Sequence, residues 1–90
     1  MATALVLLNT EPQSTKKTAE TIAAIEGVTE VYSVAGTYDL VAIVRVATEE
    51  RLADLVTEKI RAVPGILNSQ TLIAFRAYSR FDLAAMFDID

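Results

Sequence analysis

The chain has 90 residues, 52% of them hydrophobic, carries a formal charge of −4, and contains neither cysteine nor histidine. That length suits one domain, and the missing thiols and imidazoles exclude disulfides, zinc–thiolate sites and the commonest general base. The eight basic residues are scattered, only Lys16 and Lys17 being adjacent, so direct binding to nucleic-acid phosphates is disfavoured.

In chain order, residues 4–8 form a short apolar run that predicts a first strand. Residues 9–13 read as a loop, with Ser14 in position to cap a helix over 15–26. On that helix Ala19, Ile22 and Ala23 recur at helical spacing, and Lys16, Lys17, Glu20 and Thr21 face water. Gly27 suits the position just past a helix end. Residues 28–35 are rich in β-branched side chains and predict a second strand, and 40–46 a third. Thr48 caps a second helix with Glu49 and Glu50 at its positive end and the apolar stripe Leu52, Leu55, Val56, Ile60 and Val63. Pro64 and Gly65 end it, and 66–78 predict a fourth strand long enough to be bent or bulged.

The order β-α-β-β-α-β is the ferredoxin-like α+β arrangement. An internal repeat agrees with it. Ile22 matches Ile60, Ala24 Ala62, Ile25 Val63, Gly27 Gly65 and Val28 Ile66, always 38 positions apart (60 − 22 = 38). One supersecondary unit is used twice within a single pseudo-symmetric domain. The expected organisation is a domain over 1–79 with a tail or short helix over 80–90.

The third strand bears on assembly. Leu40, Ala42, Val44 and Val46 line one face, Val41 and Ile43 the other, and the first strand is apolar on both faces too. Apolar on both faces means covered on both, and two helices cover only one side of a four-stranded sheet. A second copy is the simplest cover for the other side, because closed two-fold dimers are the commonest oligomers. No apolar run approaches the roughly 20 residues that span a bilayer. The first residues lack the basic start of a signal peptide. The expectation is a cytoplasmic protein with no membrane partner.

The most distinctive chemistry lies in the turn joining strands two and three, Val34-Ala35-Gly36-Thr37-Tyr38-Asp39-Leu40-Val41. Together with Gly27-Val28, Leu52, Leu55, Pro64-Gly65-Ile66 and Thr71-Leu72-Ile73, in this order and spacing, it resembles the effector-binding domain of the Lrp/AsnC family. The resemblance covers roughly residues 3–78. It implies a dimeric α/β barrel of two facing sheets, dimers assembling further, commonly into octamers, and a small effector, usually an amino acid, in clefts between dimers. By position, Gly36, Thr37, Tyr38 and Asp39 would line that cleft, with Ser69 and Thr71 as weaker candidates from the last strand. Family members of full length carry an N-terminal helix-turn-helix domain. Here the first strand begins within a few residues of Met1, so the chain resembles the stand-alone form. Such a form would bind an effector alone or co-assemble with full-length relatives.

From the residues themselves, two roles stay open at each position. Gly36 either admits a ligand's carboxylate to backbone N–H groups or supplies a positive φ. Asp39 either pairs with an ammonium group or bonds the turn's own backbone. Tyr38 either closes over a ligand or packs at a subunit contact. No metal or cofactor is implied: Glu49 and Glu50 serve the helix dipole, and Asp88 and Asp90 lack a calcium-loop spacing. Leu83, Ala84 and Phe87 in the tail share one helical face, suited to docking on the chain's own dimer or on a neighbouring one.

Other functions fit less well. Small enzymes on dimeric barrels draw on His, Trp or Asn in the interior, and this chain has no His, no Trp, and only Asn9 and Asn68. Acylphosphatases need an arginine cradle in the first loop, which residues 9–13 lack. RNA-recognition modules stack bases on aromatics of the central strands, and 4–8 and 40–46 carry none. The ACT domain shares the topology but not the Gly-x-Tyr-Asp turn. A ligand-free assembly module is the remaining alternative. The expectation is a non-catalytic, effector-binding oligomer linked to the regulation of amino-acid metabolism.

Overall fold

A computed structural model describes residues 1–80 of the chain. Its elements run β1 (Ala2–Thr10), α1 (Thr15–Ala23), β2 (Val28–Ser33), β3 (Leu40–Val46), α2 (Glu49–Asp54), a π-helical segment (Leu55–Ile60) and β4 (Ile66–Ala74). The four strands form one antiparallel sheet in the order β2-β3-β1-β4. This is the expected α+β, ferredoxin-like order. The expected helical stretch of the tail lies outside the described residues.

One face of the sheet makes the core. Ala4, Val6 and Leu8 of β1 and Leu40, Ala42 and Val44 of β3 are fully buried beneath Ile22 of α1, Leu52 of α2, and Leu55 and Ile60 of the π segment. Alternation sends Leu5 and Leu7, with Val41 and Ile43, to the opposite face. These are only half-buried, and no helix among the described residues lies over them.

β1 is longer than its apolar run because it is central. Ala2 pairs with Val46 on one side, and Asn9 and Thr10 pair with Asn68 and Ile66 on the other, so ladder bonds hold residues that local propensity assigns to a loop. β4 stops at Ala74, short of Tyr78, because its last partner is Thr3 and β1 has almost run out there. Its bulge falls at Leu67, where the pairing steps from Asn9–Asn68 to Thr10–Ile66. A second bulge, at Thr29 in β2, is tied by the Thr29 hydroxyl donating to the Ile43 carbonyl at 3.2 Å.

The helices depart from expectation in three ways. The side chain of Ser14 makes no capping bond at the α1 N-terminus, whereas the Thr48 hydroxyl accepts the Arg51 N–H at 3.1 Å as the sequence predicts. α1 ends at Ala23, three residues early, in tightened turns such as Ile25 N–H to the Ile22 carbonyl. The second helix widens after Asp54, with the Arg61 N–H reaching back five residues to the Val56 carbonyl at 3.3 Å. At α-helical pitch Leu55 and Ile60 would stand well apart around the axis. The wider turn puts both in the core, each at most 6% exposed. Beyond it Gly27, at φ +101°, lies so close that an added Cβ would sit 2.5 Å from Leu55 Cδ1.

Candidate functional site

The loop 34–39 between β2 and β3 is closed at its base by backbone. The Val34 N–H donates to the Asp39 carbonyl at 3.0 Å, and the Asp39 N–H donates to the Leu8 carbonyl of β1 at 2.9 Å. The Asp39 carboxylate completes the anchor, its Oδ2 accepting the Thr10 N–H at 2.9 Å. Asp39 therefore bonds the backbone of the neighbouring strand rather than of its own turn. Gly36 stands at the exposed crest with φ +142°, and no heavy atom lies within 4 Å of where a Cβ would be. Its glycine requirement comes from the backbone angle and not from crowding. Thr37 is exposed beside it.

Tyr38 leaves the loop and crosses the end of β1. Its hydroxyl donates to Gln70 Oε1 on β4 at 2.7 Å. Gln70 pairs with Leu7, and Asn68 pairs with Asn9, so both β4 side chains stand on the uncovered face. Asn9 Nδ2 donates to Asn68 Oδ1 at 3.0 Å. The end of the uncovered face nearest the loop is thus a phenol and three carboxamides beside the anchored carboxylate of Asp39. Ser69 and Thr71 are paired with Leu8 and Val6, which places them on the helix side of the sheet. Gly36 through Asp39 are brought together, and Ser69 and Thr71 are not turned toward them.

Asn9, Asn68 and Gln70 are what the sequence reading missed. The signal was the period of two along β4, since 68, 70 and 72 share a face once Leu5 is set against Leu72. Which face that is depends on the pairing with β1.

At the β2 edge of the same face Tyr32 donates to the Glu30 carboxylate, and Arg45 donates to the Thr29 hydroxyl at 3.4 Å. The hydrogen bond to Glu30, with partial burial and the carboxylate's charge adding to it against Arg45, raises the Tyr32 phenol above its ordinary value. Between the Tyr32 and Gln70 edges lie Val41 and Leu7, with Ile43, Leu5 and Leu72 in the next row. Phe75 (99% exposed) and Tyr78 (88%) follow β4 without touching their own domain's core.

A shallow cleft of about 270 Å³ runs between α1 and Pro64–Gly65, lined by Glu11, Ser14, Lys17 and Thr21. It is on the helix side, floored by the Thr18 hydroxyl donating to the Pro64 carbonyl. Its lining includes no residue of the loop 34–39, which remains the candidate site. Among the described residues no three His, Cys, Asp or Glu side chains cluster to hold a metal. Among them, too, no helix is long and apolar enough to cross a membrane.

Known proteins share this architecture. The family model of the Lrp/AsnC ligand binding domain matches residues 3–83. The uncharacterized HTH-type transcriptional regulator PF0250 of Pyrococcus furiosus is 41% identical over 76 residues, covering 81% of this chain and 51% of that protein. The chain thus spans about half the length of the curated relatives it matches. The crystal structure of TTHA0845 from Thermus thermophilus superposes with a TM-score of 0.82 at 46% identity, covering 89% of this chain and 100% of that one. A feast or famine regulatory protein of M. tuberculosis, Rv3291c, complexed with L-methionine, gives 0.73 at 28% identity, over 91% of this chain and 56% of its own. With its sheet order, its anchored Gly-Thr-Tyr-Asp loop and a family match over nearly its whole length, the chain belongs to the Lrp/AsnC ligand-binding domain family.

Proposed function

We infer that the chain works as a homodimeric, non-catalytic sensor of a small molecule, an amino acid, in the control of transcription. The observation that carries this is the loop 34–39. Its backbone is fixed by three bonds through Asp39, yet its crest at Gly36 and Thr37 stands open to whatever docks there. A relative of the same fold is complexed with L-methionine. The proposed cleft takes Gly36, Thr37, Tyr38 and Asp39 from one side and β4 from the other. Because β4 is an edge strand, Ser69 and Thr71 reach a ligand only around that edge.

Dimerisation follows from the uncovered face. Leu5, Leu7, Val41, Ile43 and Leu72 form an apolar strip that a second copy covers in a closed, self-complementary pairing. Dimers assembling into octamers would bring loops of adjacent dimers together. The exposure of Phe75 and Tyr78 favours a second reading, an assembly module that joins full-length relatives without a ligand of its own.

A thermal-shift screen of the purified chain against the twenty amino acids, with sedimentation alongside, tests the sensor. Ligand at a hundred times its dissociation constant adds about 2.7 kcal/mol of stability. One or a few hits with a change in assembly size are expected. A dimer that responds to none of the twenty leaves the assembly reading.

A further inference from the structure

We propose that residues 75–80 of each copy dock as an antiparallel strand on the β2 edge of the other copy, with Arg76 set against Glu30. The inference rests on the dimer reading above and adds to it the arm that each copy lends and the strand that receives it.

The arm finds no seat on its own domain. β4 ends at Ala74, opposite Thr3, and beyond it Phe75 and Tyr78 are 99% and 88% exposed. Two aromatic rings left in water three residues apart mark a contact surface. The receiving strand lies on the far side of the sheet. β2 is an edge strand, with β3 and β1 between it and β4. Its outer row of N–H and C=O groups is a template for a further strand, and residues 28–33 carry neither the proline nor the lysine that commonly blunts such an edge.

Charge matches the arm to this edge. Residues 26–33 carry Glu26 and Glu30 and no lysine or arginine, whereas 75–80 carry Arg76 and Arg80 and no acid. The alternation matches as well. Leu72 and Ala74 pair with Leu5 and Thr3 on the uncovered face, so the same period carried forward places Arg76, Tyr78 and Arg80 on that face. Glu30 and Tyr32 share it through their pairing with Ile43 and Val41. Setting Arg76 opposite Glu30 brings Phe75 opposite Val31, an ion pair on one face and an apolar pair on the other. A two-fold axis makes this join twice, so both arms are received.

Arg76 and Glu30 are exposed, so their substitution leaves the core intact. Sedimentation of the purified chain, of Arg76→Glu, of Glu30→Arg and of the double variant tests the join, with circular dichroism confirming each fold. Each single reversal should weaken dimerisation at least about tenfold, because like charges then meet at both joins. The double variant should recover most of that loss. Net charge alone acts differently: Arg76→Glu takes the chain from −4 to −6 (−4 − 2) and Glu30→Arg takes it to −2 (−4 + 2), which loosens one dimer and tightens the other. Opposite shifts of that kind overturn the arm and leave the face-to-face dimer standing. So do single variants that dimerise like the wild type, or a double variant no tighter than the singles. A wild-type chain that sediments as a monomer overturns the dimer and this inference with it.

Discussion

Asp39 Oδ2 accepts the backbone N–H of Thr10 at 2.9 Å, joining residues 29 positions apart at the ends of adjacent strands. Thr10 is 3% exposed, so its N–H has little access to water once the carboxylate is gone. Asp39→Ala should therefore destabilise the unliganded protein by about 1.5–3 kcal/mol, the range for a hydrogen bond to a charged group. In a domain of this size each kcal/mol lowers the melting temperature by roughly 4–8 °C. Asp39→Asn, which keeps an acceptor, should recover much of the loss. Equal melting of Asp39→Ala and wild type would show that the bond contributes nothing to stability. Effector binding by the Ala variant must accordingly be judged against its own unliganded baseline.

Gly27 joins α1 to β2 where the π segment leans in. A methyl group there would meet Leu55 Cδ1 at 2.5 Å and Val46 Cγ1 at 2.8 Å, on a backbone at φ +101°. Overpacking and left-handed strain add, and Gly27→Ala is expected to cost about 2–4 kcal/mol. Gly36→Ala meets no neighbour and bears only the backbone penalty, about 1–2 kcal/mol. Chemical denaturation of the two variants should rank them in that order, and the reverse ranking would contradict the packing described.

The Tyr32–Glu30 pair makes stability sensitive to alkali. Its phenol is raised above the ordinary value near 10, so the stabilisation it gives is complete below about pH 10 and is lost as pH rises through the higher folded-state value. Spectrophotometric titration should find the Tyr32 phenol ionising above pH 10. That titration should vanish in Tyr32→Phe and move down in Glu30→Gln. Persistence of the late-ionising phenol in Tyr32→Phe would assign it elsewhere.

Ile43 sits mid-strip on the uncovered face, opposite Leu5, and contributes nothing to the helix-side core. Ile43→Lys should leave the fold intact but place an unpaired charge in the proposed dimer interface, where removal from water costs several kcal/mol. Sedimentation should show a folded monomer. A dimer of undiminished affinity would move the interface off this face.

Local pattern carried much of this molecule. Alternation in 40–46 assigned both faces of β3, the Thr48 cap and its Glu49–Glu50 turn started α2, and Gly36-Thr37-Tyr38-Asp39 marked the loop that the structure anchors. Such features depend on residues near one another in the chain, where propensity, capping and period act alone. The long-range bonds were not legible in this way. That Asp39 would hold Thr10, that Tyr38 would cross β1 to reach Gln70, and that β4 would end where β1 runs out are all consequences of strand pairing. The π turn has the same origin, because the energy of burying both Leu55 and Ile60 outweighs the better hydrogen-bond geometry of an α-helix. The sequence by itself therefore determined the elements, their order and the loop. Only the tertiary structure decided which β4 side chains share a face with that loop. In an antiparallel sheet a shift of one residue in register exchanges the faces, and the register is set by partners dozens of residues away.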